Sequence, residues 1–220
     1  MLFRSNPTAY GLVETDPDGN VTRFLEKPKA DEITCDTINA GIYVLEPDTF
    51  DRIPKDQPWS IERSYFPSLI ERGETFVAYT YRGYWIDIGT PEKYVQVHRD
   101  VMNGRFHTPA FSANASGSWI SPDARIDTDV AVEGPCFVDA GAVVKAGARL
   151  GPHTVIGRNC HIEERAIVDR SIVWANTRIG EDATVRGAIL GRQCHVGRSA
   201  VVGESAVLGD KTVLTDFSRT

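Results

Sequence analysis

Residues 144–162, VKAGARLGPHTVIGRNCHI, repeat a six-residue pattern that decides the fold of the second half of the chain. The large apolar positions of this stretch are Val144, Leu150, Ile156 and Ile162, and the small positions, two residues ahead of each large one, are Ala148, Thr154 and Cys160. Such a hexad predicts a short strand that cannot bury its apolar face alone. Successive coils must therefore stack to form one continuous core.

The repeat extends in both directions, from Ile120 to Leu214, with two five-residue steps that end at Val173 and Leu190. This pattern resembles the left-handed parallel β-helix of hexapeptide proteins, in which three hexads make one triangular coil. The resemblance implies between five and six coils. The left-handed sense comes from the resemblance, since crossovers between parallel strands are usually right-handed.

Three cysteines, Cys136, Cys160 and Cys194, occupy the small position of the hexad. We expect them to pack in the core, with a catalytic thiol as the less favoured alternative. Counting hexads puts Cys160 and Cys194 on one face, two coils apart. A spacing of ~4.8 Å per strand separates them by roughly 10 Å, which is too far for a disulfide.

Hexad counting also aligns His161, Arg178 and His195 along one edge of the prism. Two interpretations are open for this basic row. It is either a solvated corner, which is favoured, or a site for an anionic ligand.

The first half of the chain has the mixed pattern of an α/β fold. It predicts a hairpin around the turn at 16–20, buried strands over 37–46 and 75–89, and helices from Ser60 to Gly73 and from Thr90 to Gly104. The predicted domains are therefore residues 1–107 and 119–220, joined by a linker at 108–118 that is rich in Ser, Ala and Pro.

Composition excludes several classes of protein. The formal net charge is −6, and no Lys/Arg run or basic stripe is present, which argues against a nucleic-acid partner. No 18 apolar residues run together, residues 1–30 lack the apolar core expected of a signal peptide, and the four cysteines lack CxxC spacing. We therefore expect no membrane partner and a cytoplasmic location.

Four blocks of the first half resemble a known enzyme family. They are YGLVE (10–14), FLEKP (24–28), INAGIYVLEP (38–47) and GYWIDIGTPEKY (83–94). They are similar to the second half of the sugar-nucleotide pyrophosphorylases, most of all to mannose-1-phosphate guanylyltransferases and related NDP-sugar synthases with a C-terminal hexapeptide helix. The resemblance implies a Rossmann-like nucleotidyltransferase domain. It also implies transfer of a nucleotidyl group from an NTP to a sugar 1-phosphate, with GTP, mannose 1-phosphate and the cofactor Mg²⁺ as the expected set.

The same resemblance implies roles for individual residues. Asp87 would hold the Mg²⁺ ion from a rigid apolar strand, and Lys27 would neutralise the sugar phosphate. Glu26 and Asn39 would bond sugar hydroxyls, and the glycines would let the backbone approach the ring; these glycines are Gly11 and Gly41.

Each role has a simpler alternative. Asp87 could be a turn or capping acid ahead of Thr90, and Lys27 an ordinary exposed lysine at a strand end. Turn chemistry could account for Asn39 and the glycines.

The sequence departs from the family in one large respect. The Gly-rich G-x-G-T-R-L loop that binds the nucleotide, and the Gly-Asp segment that supplies a second Mg²⁺ ligand, do not occur in these 220 residues. The resemblance therefore implies a truncated product or fragment that is inactive alone. Its parallel sheet would be left with open edges.

Two other functions compete with nucleotidyl transfer. Hexapeptide solenoids often belong to acyltransferases, and His153, His161 and His195 are available here, but no inserted loop interrupts the hexads to build an acceptor pocket. A non-catalytic regulatory or scaffolding subunit is the other alternative. In either case the flat faces of the β-helix predict a homo-oligomer.

Overall fold

The computed structural model describes residues 1–3, 7–108 and 117–220. The chain falls into two compact units, Met1–Gly83 and Tyr84–Thr220. Within the described ranges, no helix is both long enough and apolar enough to cross a membrane.

The first unit contains a small antiparallel sheet of four strands, ordered β1-β4-β2-β3. The strands are β1 (Leu2–Phe3), β2 (Gly11–Thr15), β3 (Val21–Glu26) and β4 (Thr37–Ile38). Asp16 closes the β2–β3 turn, because its Oδ1 accepts from the backbone N of Asp18 at 3.0 Å and of Asn20 at 2.8 Å. The predicted hairpin is confirmed.

A helical segment packs beneath this sheet. It begins with a wide turn at Ile61–Tyr65 and continues as α1 (Phe66–Glu71). Ser60 caps it, because its Oγ accepts from Arg63 N at 3.0 Å. Phe66 is fully buried, and its ring lies 5.0 Å from that of Phe24. The helix predicted from Ser60 is confirmed.

Two predicted strands of the first half are wrong. Of residues 37–46, only Thr37–Ile38 form a strand, and residues 75–89 make isolated bridges through Val77 and Tyr81. A strand needs a neighbour for its ladder, and no described strand pairs with residues 39–46. Apolar side chains stay in solvent as a result, with Val44 100% exposed and Tyr79 81% exposed.

The second unit begins with a capped helix, α2 (Pro91–Met102). Thr90 Oγ1 accepts from Lys93 N at 3.3 Å, which confirms the predicted start. Within this part, Tyr84 donates its hydroxyl to the buried Asp100 at 2.8 Å. Burial and this bond to a carboxylate raise the pKa of Tyr84 to about 12.

Residues 117–220, as described, form a parallel β-helix of seventeen short strands in three sheets. One sheet holds β7 (Ala131–Val132), β10 (Arg149–Leu150), β13 (Ile167–Asp169), β16 (Thr184–Arg186) and β19 (Val201–Val202). The second holds β5 (Trp119–Ile120), β8 (Cys136–Val138), β11 (Thr154–Ile156), β14 (Ile172–Val173), β17 (Ile189–Leu190) and β20 (Val207–Leu208). The third holds β6 (Arg125–Ile126), β9 (Val143–Val144), β12 (His161–Ile162), β15 (Arg178–Ile179), β18 (His195–Val196) and β21 (Val213–Leu214).

Strand register confirms the predicted repeat. Arg149 pairs with Ile167, one full coil later, and Val155 pairs with Ile172, where a five-residue step shortens the coil by one residue. Large inward residues of the central coils are fully buried, as are the small ones ahead of them. The left-handed sense stays a prediction.

The cysteines of the repeat are buried, free and part of the core, as predicted. Burial raises the pKa of the Cys160 thiol to about 11, and its Sγ lies 3.1 Å from the Trp174 carbonyl oxygen. A thiol with such a pKa is almost wholly protonated at neutral pH. It is therefore a poor nucleophile.

Some glycines of the repeat are needed because adjacent coils approach closely. A Cβ built on Gly180 would lie 2.8 Å from backbone atoms of Val196, Gly197 and Arg198 in the next coil. Backbone cannot move aside as a flexible side chain can. The glycine after the large apolar residue is therefore a packing requirement at this position.

Helix α2 lies against the β-helix within the second unit. Trp174 Nε1 donates to Tyr94 Oη at 3.1 Å, and His153 Nε2 lies 2.9 Å from Asn103 Oδ1. Most of the linker predicted at 108–118 falls at 109–116, outside the described residues. The predicted domain boundaries therefore stay a prediction.

Candidate functional site

Four of the residues expected to bind a sugar meet at the open end of the β2–β3 hairpin. Gly11 pairs with Glu26 across the two strands, and Asn39 N donates to Gly11 O at 2.7 Å. Lys27, the residue after Glu26, donates its backbone N to Tyr10 O at 3.1 Å. The hairpin register thus places the carboxylate of Glu26 and the amide of Asn39 beside Gly11, and the charge of Lys27 is near enough to lower the pKa of Glu26.

Gly11 has no room for a side chain. A Cβ at this position would lie 2.9 Å from Glu26 Oε2 and 3.3 Å from Asn39 Cβ. The absence of a side chain is therefore what lets Glu26 and Asn39 approach the same backbone.

The amide of Asn39 is almost fully engaged within the protein. Its Nδ2 donates to Tyr43 Oη at 2.6 Å and to Glu62 Oε1 at 3.0 Å, and its Oδ1 accepts from Gly41 N at 3.0 Å. Gly41 has φ +73°, the left-handed region that favours glycine. An amide has two N–H donors, so only one Oδ1 lone pair of Asn39 remains for a ligand.

Glu26 and Glu62 form a pair of half-buried carboxyl groups. Burial raises the pKa of Glu26, and the charge of Glu62 raises it further, while Lys27 and Arg63 oppose the rise. Within the described ranges, no cation forms an ion pair with either carboxylate. The site is therefore acidic around Asn39, with compensating cations at its edge.

Lys27 is exposed and adopts φ +52°, the left-handed region that L-residues other than glycine rarely occupy. Holding a lysine there costs about 1–2 kcal/mol relative to the right-handed region. Strain of this kind often marks functional positions.

Asp87 lies in the other compact unit and is exposed, with Lys93 Nζ 3.9 Å from its Oδ2. Residues 84–88 are not a strand, so the expectation that a rigid strand holds this carboxylate is wrong. Whether Asp87 and Lys27 share a pocket stays a prediction.

In the described part of the chain, no group of three or more His, Cys, Asp or Glu side chains could hold a metal ion. Magnesium commonly takes only one or two protein carboxylates and completes its shell with water and substrate phosphate. A single exposed carboxylate such as Asp87 fits that requirement.

The predicted basic row is present on the β-helix. His161 pairs with Arg178, and Arg178 pairs with His195, in the register of β12, β15 and β18. Buried Glu163 bonds Lys145 Nζ at 2.6 Å and Arg178 Nε at 2.7 Å. Burial opposes ionisation of Glu163, but these two cations outweigh it and lower its pKa.

Part of this row lines a groove of about 410 Å³ that contains both acids and bases. Arg178 is already neutralised by Glu163, so the row offers less positive charge than its sequence suggests. Over residues 117–220, strands follow one another at hexad spacing without an extruded loop. This arrangement gives no support to an acyl-acceptor pocket.

Sequence reasoning missed two residues that contact Asn39 in this cluster, Tyr43 and Glu62. Glu62 has the sequence signature of an acid in the first turn of a helix, and Tyr43 that of an inward strand residue. Asn39 and Glu62 are 23 residues apart, and no local spacing predicts their contact.

Both halves of the chain are similar to known protein families. Residues 3–104 match the family model described as Nucleotidyl transferase, and residues 132–218 match the model described as GMPPB C-terminal domain.

Curated relatives agree with these matches. A UTP--glucose-1-phosphate uridylyltransferase of Synechocystis is 30% identical over 85% of this chain and 49% of its own length. The mannose-1-phosphate guanylyltransferase of Mycobacterium tuberculosis is 33% identical over 79% of this chain and 43% of its own. A probable mannose-1-phosphate guanylyltransferase 2 of Arabidopsis thaliana is 33% identical over 86% of this chain and 53% of its own length. The chain thus spans about half the length of these relatives.

Proposed function

We propose that this chain serves nucleotidyl transfer to a sugar 1-phosphate, because its first half matches the Nucleotidyl transferase family model and its second half matches the GMPPB C-terminal domain model. In this reaction a phosphate oxygen of the sugar 1-phosphate attacks the α-phosphorus of an NTP. The new P–O bond forms as the bond to the β-phosphate breaks, and pyrophosphate leaves with the electron pair.

One observation carries the proposal: the cluster of Gly11, Glu26 and Asn39 beside Lys27. Carboxylate and amide oxygens suit sugar hydroxyls, which are hydrogen-bond donors. A lysine at the edge of such a cluster suits the phosphate of the same molecule. The arrangement therefore fits a small ligand that has hydroxyls at one end and phosphate at the other.

Charge neutralisation is the main requirement of this chemistry, because two phosphorylated substrates must meet. Lys27 would neutralise the sugar phosphate. Asp87 would hold a divalent cation, which we take to be Mg²⁺ because its ligands are hard oxygens. The cation supplies positive charge between the two substrates when bound.

Among possible substrates, we favour GTP and mannose 1-phosphate, which would give GDP-mannose and pyrophosphate. One similar relative is named a mannose-1-phosphate guanylyltransferase and another a probable one, whereas a third is named a UTP--glucose-1-phosphate uridylyltransferase. Labelled pyrophosphate separates these options when it is offered, with Mg²⁺ and GDP-mannose, UDP-glucose or ADP-glucose, to the intact parent protein rather than to this chain alone. We expect label to appear in GTP.

Two further parts of the proposal concern the state of the protein. We expect a homo-oligomer that forms through the β-helix, which sedimentation at several protein concentrations tests. We also expect a cytoplasmic protein, supported by four cysteines that are all free.

Binding tests the site directly. Mannose 1-phosphate is titrated into the wild-type chain, into Lys27→Ala and into Lys55→Ala, whose lysine is an exposed turn residue of the same unit. We expect saturable binding by the wild type and Lys55→Ala, and affinity at least about tenfold lower for Lys27→Ala, because a charge-assisted contact is lost. Equal affinity of all three proteins would contradict the proposed site.

A further inference from the structure

Glu62 lies inside the proposed sugar site although its sequence context marks it only as a first-turn acid. Resting on the function proposed above, we propose that Glu62 is a substrate-binding residue whose carboxylate accepts a hydrogen bond from a hydroxyl of the sugar 1-phosphate, beside Glu26. In the same arrangement Asn39 is a positioning residue that holds the Glu62 carboxylate in place.

Hydrogen-bond capacity is the first reason. Asn39 donates its two amide N–H groups to Tyr43 and Glu62, and one lone pair of its Oδ1 accepts from Gly41 N. Glu62 uses only Oε1 in its bond to Asn39. Its carboxylate also accepts from the Tyr43 hydroxyl, but a carboxylate has about four lone-pair sites, so Glu62 keeps free acceptor capacity. No described residue donates a hydrogen bond to the carboxylate oxygens of Glu26. The unused acceptors therefore belong to the two glutamates.

The chemistry of the ligand is the second reason. A sugar presents several O–H donors, and hydrogen bonds to an ionised acceptor are roughly twice as strong as those between neutral groups. Two adjacent carboxylates accept hydroxyl groups and repel phosphate. Lys27 attracts phosphate at the edge of the cluster. This polarity allows one orientation of a sugar 1-phosphate and opposes the reverse.

The rigidity of Glu62 is the third reason. It lies in the first turn of a helical segment that Ser60 caps and that the buried Tyr65 and Phe66 anchor to the core. The bond from Asn39 Nδ2 fixes its carboxylate. A binding group held from two sides loses little freedom when the ligand arrives.

The conservative variant Glu62→Gln separates ligand binding from positioning. Glutamine keeps one carbonyl oxygen to accept from Asn39, but its second terminal atom is an NH₂ donor and cannot accept. We expect mannose 1-phosphate to bind about ten- to a hundredfold more weakly, because a hydrogen bond to a charged acceptor is lost. Binding of inorganic phosphate is expected to be unchanged, and Glu71→Gln, at the exposed end of α1, serves as the matched control.

A pH titration tests the electrostatic coupling between the two carboxylates. The charge of Glu62 contributes to the raised pKa of Glu26, so Glu62→Gln should lower that pKa. A hydroxyl bonds more strongly to an ionised acceptor than to a neutral one, so wild-type affinity should fall as the pH drops through the raised pKa of Glu26. In the variant the fall should move to lower pH. Carboxyl chemical shifts measure the pKa and also show that the variant is folded.

Monodeoxy analogues of mannose 1-phosphate complete the test. We expect the wild type to bind one of these analogues more weakly than mannose 1-phosphate. Glu62→Gln should bind that analogue and mannose 1-phosphate with equal affinity. Two results would overturn the role of Glu62: mannose 1-phosphate binding Glu62→Gln as tightly as the wild type, or the absence of any such analogue. If Lys27→Ala still loses binding, the proposed function remains intact. Failure of the wild type to bind any sugar phosphate overturns both.

Discussion

The two compact units treat the same kind of residue in opposite ways. Val144, in the β-helix, is 0% exposed, whereas Val44, in the first unit, is 100% exposed, although both stand in apolar stretches. In the β-helix the partner of each strand is the next copy of the same repeat, 17 or 18 residues along the chain. In the first unit a strand partner must come from elsewhere in the fold. Burial therefore follows from local pattern only where the pattern supplies its own partner.

The comparison is tested most strongly by truncating both valines. Val144→Ala removes two buried methyl groups and leaves a cavity, so we expect the free energy of unfolding to fall by about 2–3 kcal/mol. Val44→Ala removes atoms that are already in water and should change it by less than about 0.5 kcal/mol. Denaturant unfolding of both variants measures the difference, and equal effects would contradict the contrast between the units.

The next largest effect on stability is expected at the ion pairs of Glu163 with Lys145 and Arg178 on the β-helix. Glu163 has a lowered pKa, so its stabilisation should be present above the pKa of an unfolded glutamate, about 4.5, and lost as the pH falls through the lower folded pKa. Glu163→Gln should cost about 1.5–3 kcal/mol at pH 7 and progressively less below pH ~4. Glu164→Gln, whose side chain is 42% exposed, is the control. A cost for Glu163→Gln that does not vary with pH would count against the ion pairs as its cause.

Close approach of the coils is tested at two equivalent glycines. In Gly180→Ala the new Cβ meets backbone of the next coil, so we expect about 1–3 kcal/mol of destabilisation. Gly209 has the same place in its hexad, but nothing lies within 4 Å of a Cβ built there. Gly209→Ala should therefore be close to neutral. Equal thermal unfolding of the two variants would show that coil spacing is not what requires glycine.

The smallest effect is expected in the first unit, with the opposite sign. Lys27→Gly removes the strain of a lysine in the left-handed region but increases the conformational entropy of the unfolded chain. We expect the first effect to be larger, which gives a net stabilisation of about 0.5–1 kcal/mol, and we expect weaker binding of sugar phosphate. Asp56→Gly, at φ +60° in the same unit, should be stabilised without a loss of binding. A destabilised Lys27→Gly would remove the argument from backbone strain.

These contrasts explain how much of the molecule could be predicted from its sequence. The strands between Val138 and Val202 were predictable, because the six-residue repeat predicts both the position of each strand and the strand with which it pairs. Helix starts at Ser60 and Thr90 were predictable for a similar reason, since a cap acts within three residues. The strands at 39–46 and 75–89 were not, because alternation of side chains cannot say whether a neighbour is present to complete the ladder.

The candidate site divides in the same way. Gly11, Glu26 and Lys27 lie on or beside one hairpin, and the turn that sets its register is visible in the sequence. Glu62 reaches Asn39 across 23 residues and through a different element. Such a contact depends on how a helix packs under a sheet. No spacing rule contains that information.

The regular register of the coils also means that the length of the β-helix can change only in steps of one coil. Arg149 and Ile167 are equivalent points one coil apart, so duplication of a single 18-residue coil would displace everything beyond it by one strand spacing, about 4.8 Å. The inserted interface would copy those already present, and the strands on either side would keep their pairing. The length of this domain can therefore change in unit steps without redesign of its core, and whatever is attached to its far end would be repositioned by a known increment.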